Sequence, residues 1–134
     1  TPWRPLLNPD ETKLYFFTVG SISDDNIPST SSIVLLYVDM NDLRVRYVAG
    51  VSSEGSYGVD FPLFAAACIN SNGDIFVTTR GSAVVYKLPV DESPATIYAG
   101  NLGEVATSDT DIEGKNRTNA KFVNTHACGF SPNG

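Results

Sequence analysis

The sequence predicts an all-β protein built from a repeated four-stranded antiparallel unit. Residues 32–50 read SIVLLYVDMNDLRVRYVAG and residues 82–100 read SAVVYKLPVDESPATIYAG, an ungapped match at a constant offset of fifty in which apolar positions fall on apolar positions. A second offset, of sixty-one, carries Leu14, Tyr15 and Phe16 onto Ile75, Phe76 and Val77, Phe61 onto Phe122, and Asn72-Gly73 onto Asn133-Gly134. Within each copy the apolar runs are five or six residues long, rich in Val, Ile, Tyr, Phe and Thr, and bounded by turn residues. Such runs favour strands over helices.

The eleven residues that separate the two offsets have a location. The first copy holds GSISDDNIPST at 20–30, where the second passes directly through Thr79-Arg80-Gly81. One copy therefore has a long surface loop where the other turns tightly. In the complete second copy the predicted strands are 64–69, 74–79, 83–88 and 95–98. Asn72-Gly73 joins the first two, and both residues accept the positive φ of a two-residue type I′ turn. Pro89 and Pro94 interrupt the chain between the last two strands. In the first copy Asn8-Pro9-Asp10-Glu11-Thr12 takes the place of the Asn-Gly hairpin with a longer turn.

A four-stranded meander of this kind has two apolar faces and buries both only between neighbours. Repeats of roughly 40 to 50 residues with this content predict blades closing into a ring. The expected architecture is an incomplete ring, a single partial β-propeller over 1–134. Its units fall at about 4–60 and 61–121, and a third begins at 122–134. The chain opens on Thr1 and stops at Asn133-Gly134, the middle of a hairpin in the repeat. A longer protein is expected.

The residues that follow the last predicted strand carry a family resemblance. They run Ala99-Gly100, an acidic connection ending Asp111-Ile112-Glu113-Gly114, then Ala120-Lys121-Phe122, then Gly129-Phe130-Ser131-Pro132-Asn133-Gly134. This resembles the NHL-repeat β-propeller pattern, and Phe61, Ala66-Ala67, Asn72-Gly73 and Ile75-Phe76-Val77 repeat it in the second copy. The resemblance covers 49–134 well and 3–48 more loosely. It departs before the inner strand, where the usual Pro and Gly become Asn124-Thr125-His126 in the third copy and Phe64-Ala65 in the second. The family implies a fold more than a function, since NHL propellers include extracellular receptors, RNA-binding regulators and a few lyases. In such a unit Phe61 and Phe122 would wedge between blades, and small residues such as Ala65, Ala66, Ala67, Ala127 and Gly129 would suit the crowded inner strand. That wedge predicts a cost on the order of 3 to 5 kcal/mol for Phe122→Ala.

Composition narrows the partners. Fifteen acidic against nine scattered basic residues give a net charge of −6, which disfavours a nucleic-acid partner because counterion displacement needs a basic face. No run approaches the roughly 20 apolar residues of a membrane-spanning helix. The single histidine, His126, cannot build a multi-histidine metal site, and the NHL-type lyases depend on metal-bound histidines. There is no Gly-x-Ser-x-Gly elbow and no phosphate-binding glycine loop. The expectation is a protein with no catalytic residues and no cofactor.

Three features remain as candidate sites. Asn116-Arg117-Thr118 is an N-glycosylation sequon in a polar connection. Asp109, Asp111 and Glu113 alternate as in a calcium loop, but Arg117 and Ala120 stand at the ninth and twelfth positions, where a ligand is needed. Cys68 and Cys128 occupy nearly equivalent places in neighbouring units, one residue out of register, and a one-residue shift along a strand reverses side-chain direction. An intrachain disulfide, two buried free thiols and bonds to other parts of a longer chain all stay open. The functional expectation is a non-enzymatic structural and protein-interaction module of a secreted or cell-surface protein. It would make contacts through the loops 20–31 and 51–60 and be completed by further blades or by partner chains, as in an extracellular assembly or filament. The alternatives are a ligand-binding or lyase-type propeller with its catalytic residues in other blades, and an intracellular scaffold.

Overall fold

The computed structural model describes residues 4–18, 33–61, 65–79, 83–122 and 128–131. They form an all-β protein of two four-stranded antiparallel meanders. The first sheet comprises β1 (Leu6–Leu7), β2 (Lys13–Thr18), β3 (Val34–Asp39) and β4 (Val45–Ala49) in chain order. The second comprises β5 (Ala65–Ile69), β6 (Ile75–Thr79), β7 (Val84–Leu88) and β8 (Thr96–Ala99), again in chain order. The one helical segment among the described residues is a single 3₁₀ turn, Asp109–Asp111, and none of their helices is long and apolar enough to cross a membrane.

The repeat extends to irregularities of the backbone. The β3–β4 ladder slips between Leu35 and Leu36, and the β7–β8 ladder slips between Val85 and Tyr86, fifty positions on. A bulge at this place twists and bends the outer strand of each unit. Each outer strand then ends on a glycine with positive φ, Gly50 at 130° and Gly100 at 89°. A Cβ at Gly50 would collide with the carbonyl oxygen of Ile33, and one at Gly100 would lie 2.8 Å from the carbonyl oxygen of Ala83. Glycine is thus required twice at the same structural position, for close backbone approach as well as for φ.

The first hairpin turn of each sheet follows one plan, and it differs from the two-residue turn expected at Asn72-Gly73. Gly73 N–H donates to Asn70 C=O at 3.1 Å, and in this turn Gly73, but not Asn72, has positive φ. The Asn70 side chain explains the difference, because its Oδ1 accepts from Asn72 N–H (3.1 Å) and Asp74 N–H (2.9 Å) and organises a longer loop. Asn8 does the same in the first sheet. Its Oδ1 accepts from Lys13 N–H at 2.8 Å, Glu11 N–H donates to Asn8 C=O at 2.9 Å, and Glu11 takes the left-handed conformation with φ 59°.

The sheets stack face to face. Tyr15, Phe17 and Leu35 of the first sheet meet Ala65, Ile75, Val77 and Leu88 of the second, with Tyr57, Val59 and Phe61 of the connecting segment between them. Strand alternation sorts the faces: Tyr15 pairs with Tyr37 and Phe17 with Leu35, while Ile75 pairs with Leu88 and Val77 with Tyr86. The two first strands, β1 and β5, lie against each other. The far face of the second sheet carries Cys68 opposite Phe76, and the segment 128–131 packs there. Phe76 stands edge-on to both Tyr98 (4.8 Å) and Phe130 (5.0 Å).

Candidate functional site

A cleft of about 200 Å³ opens between the two sheets on the side of their hairpin turns. Its residues come from β2, β3, β4, β6, the connecting segment and the turns after β1, before β6 and after β7, so no local motif announces it. Tyr15, Tyr37, Tyr47 and Tyr57 line it together with Lys13 and Glu92. Lys13 Nζ lies 4.8 Å from the centre of the Tyr37 ring, a cation over an aromatic face. The Tyr15 and Tyr37 rings are tilted at 50°, with centroids 5.6 Å apart.

Two of the four phenols are committed to the protein. Tyr57 Oη donates to Pro89 C=O at 2.7 Å, which ties the connecting segment to the second sheet. Tyr47 Oη accepts from Val51 N–H at 2.9 Å and donates to Val51 C=O at 3.1 Å. Among the described residues Tyr15 Oη and Tyr37 Oη make no hydrogen bond, and none of the side-chain polar atoms that are both buried and shielded from water lacks a partner. The Tyr15 hydroxyl therefore reaches the cleft although the residue is 9% exposed. Glu92, at the mouth, is held with φ 63°, a conformation uncommon for any residue but glycine, asparagine or aspartate.

The phenols report this crowding. Burial, joined by the nearby Tyr37, Glu92 and Asp10, pushes Tyr15 up to about 12 from the ordinary 10.0. Burial, joined by Tyr15, Glu92, Asp91 and Asp74, does the same for Tyr57. The fold favours the neutral phenols, so the stability they contribute is fully present below pH 10 and is lost as pH rises through 12. In a spectrophotometric alkaline titration of the folded protein, Tyr15→Phe and Tyr57→Phe should each remove a late-ionising phenol. Loss of an early-ionising one instead would contradict the burial described here.

The sequence-derived candidates lie elsewhere. Asn116, Arg117 and Thr118 are exposed. The loop is pinned from its middle residue: Arg117 Nη1 donates to Tyr98 C=O at 2.7 Å, the guanidinium lies 4.6 Å from the Tyr98 ring centre, and Gly100 N–H donates to Arg117 C=O at 2.8 Å. This anchoring to β8 leaves Asn116 and Thr118 facing outward. Asp111 is engaged in its own loop, its Oδ2 accepting from Thr107 N–H at 2.9 Å and from the Thr107 hydroxyl at 3.1 Å. Those bonds hold its carboxyl below the usual range. Among the described residues no three His, Cys, Asp or Glu side chains gather where a metal could sit, and the Asp109 side chain of the calcium-like run Asp109, Asp111 and Glu113 lies outside what is described. The 20–31 loop with Asp24 and Asp25, His126, Ala127 and the Asn133-Gly134 hairpin lie outside the described residues.

Cys68 and Cys128 are joined in a disulfide, Cα to Cα 5.6 Å, across sixty residues of chain. Phe61 is fully buried between the sheets, its ring 6.0 Å from that of Phe17 and at 73° to it. Phe122 packs against Gly100 and is half-buried. No known family, curated protein or solved structure matches the chain.

Proposed function

We propose that the chain supplies two blades and the start of a third in an NHL-like β-propeller, acting as a non-enzymatic structural and protein-interaction module of a secreted or cell-surface protein. The observation that carries this reading is the repeated unit itself. Two meanders with the same bulge fifty residues apart stack through one core with their first strands side by side, and the segment after the second is bonded to its far face. A further unit built on that segment would stack on the second sheet as the second stacks on the first, the arrangement that ring closure extends. Blades beyond these come from the rest of the protein or from partner chains.

The extracellular placement draws on the exposed sequon and the disulfide, because disulfides persist in oxidising compartments. Peptide mass spectrometry of native material should find Asn116 carrying a glycan and Cys68 bonded to Cys128. A wholly unmodified Asn116 with both thiols free would sink the secreted reading. Electron microscopy of the full-length protein tests the ring separately, and an open stack of sheets instead of a closed disc would overturn it.

A further inference from the structure

We propose that the tyrosine-walled cleft between the two sheets binds a single neutral sugar ring, the terminal or internal residue of a glycan. This goes beyond the propeller reading and does not rest on it, since the cleft needs only the two sheets described.

The size sets the first limit. Sites for drug-sized ligands run to roughly 300–1,000 Å³, so about 200 Å³ accommodates one ring-sized group. The chemistry of the lining sets the second. Tyr15 is nine-tenths buried, yet among the described residues its hydroxyl has no partner, and it opens on the cleft. Tyr37, half-buried beside it, offers a second hydroxyl with no partner among the described residues. The polar tips converge, since the Tyr15 phenol is influenced by Tyr37 and Glu92 and the Tyr57 phenol by Tyr15 and Glu92.

The charges set the third limit. Glu92 lines the cleft and Asp10, Asp74 and Asp91 act on its phenols, so an anion is disfavoured, while Lys13 over the Tyr37 ring already fills the place a cation would take. A quaternary ammonium would have to displace Lys13 from the face of Tyr37. A proline ring fits the volume and stacks on tyrosine but brings no hydrogen-bonding atoms of its own ring to Tyr15, Lys13 or Glu92, whose hydration would be lost without return. A pyranose meets every requirement. Its hydroxyls both donate, to Glu92 and the phenol oxygens, and accept, from the phenol hydrogens and from Lys13, which can stay over the Tyr37 ring as it donates.

The test is saturation-transfer NMR on the intact protein with the methyl glycosides of glucose, mannose, galactose and N-acetylglucosamine. A tetraproline peptide and tetramethylammonium serve as competing probes. The expected result is transfer to the ring C–H protons of at least one glycoside, with affinity in the millimolar range natural to so small a ligand. Tyr15→Phe, which removes one hydroxyl and keeps the ring, should weaken that glycoside about three- to tenfold with the protein still folded. Tyr37→Leu should abolish the signal, and should it unfold the protein, Tyr15→Phe stands as the sufficient variant. Absence of transfer to all the glycosides overturns the proposal. So does unchanged affinity in Tyr15→Phe, or binding of tetraproline or tetramethylammonium in preference to every glycoside.

Discussion

Phe61→Ala should cost about 3 to 5 kcal/mol, and Phe122→Ala distinctly less, although the repeat makes the two phenylalanines equivalent. Phe61 is fully buried and sits in the single core that joins the sheets, edge-on to Phe17 at 6.0 Å and among Tyr57, Val59, Ala65 and Val77. Its backbone N–H donates to Gly50 C=O at 3.2 Å, which holds the residue at the junction between β4 and the second sheet. Truncation there leaves a cavity walled by both sheets, and neither can collapse into it without breaking its own ladder. Phe122 holds the corresponding place after β8 against Gly100, but it is half-buried, so less apolar surface is at stake. Denaturant midpoints at unchanged slope give both values. Equal losses, or a larger loss at Phe122, would show that the sheets are not held together as described, whereas Phe61→Leu should retain most of the stability.

Much of this fold can be read in the residues because a strand's period of two is written locally. The predicted strands 64–69, 74–79, 83–88 and 95–98 lie within one residue of β5 through β8 at every boundary, and the fifty-residue offset locates both bulges once one is known. The turn at Asn72-Gly73 is less legible. Asn-Gly suits a two-residue hairpin, and only the competing bonds of Asn70, two positions earlier, lengthen the loop. The tyrosine cleft leaves no trace in sequence order. Tyr15 and Tyr37 read as strand core residues, Tyr57 as part of the 51–60 loop, and Glu92 as a turn residue. Their convergence depends on how one sheet stacks on the other, which no single strand encodes.

Loss of the Cys68–Cys128 bond should destabilise the protein by about 4 kcal/mol, because the bond closes a loop of sixty residues and such loops forfeit roughly 3 to 5 kcal/mol of constraint when opened. The one-residue slip between the cysteines, which reverses side-chain direction, is what brings them together. At the sixty-one-residue offset Cys128 falls on Ala67, and Ala67 points toward the preceding unit, into the core shared with the first sheet. Cys68, the next residue on β5, pairs with Phe76 on the opposite face, where the segment 128–131 packs, and its sulfur meets that of Cys128 there. Cys68→Ser, Cys128→Ser and the double variant should therefore lose the same stability, since each removes one and the same bond. The melting temperature should fall by roughly 10 to 20 °C, and reduction of the unaltered protein should reproduce the fall. The loss also has a place. Without the bond, the segment 128–131 is held on the second sheet by contacts such as that of Phe130 with Phe76, so hydrogen exchange and proteolysis should quicken there before they quicken in β2, β3, β6 or β7. Single variants that differ from the double by more than experimental error, or thiols that react in the unreduced folded protein, would refute the pairing.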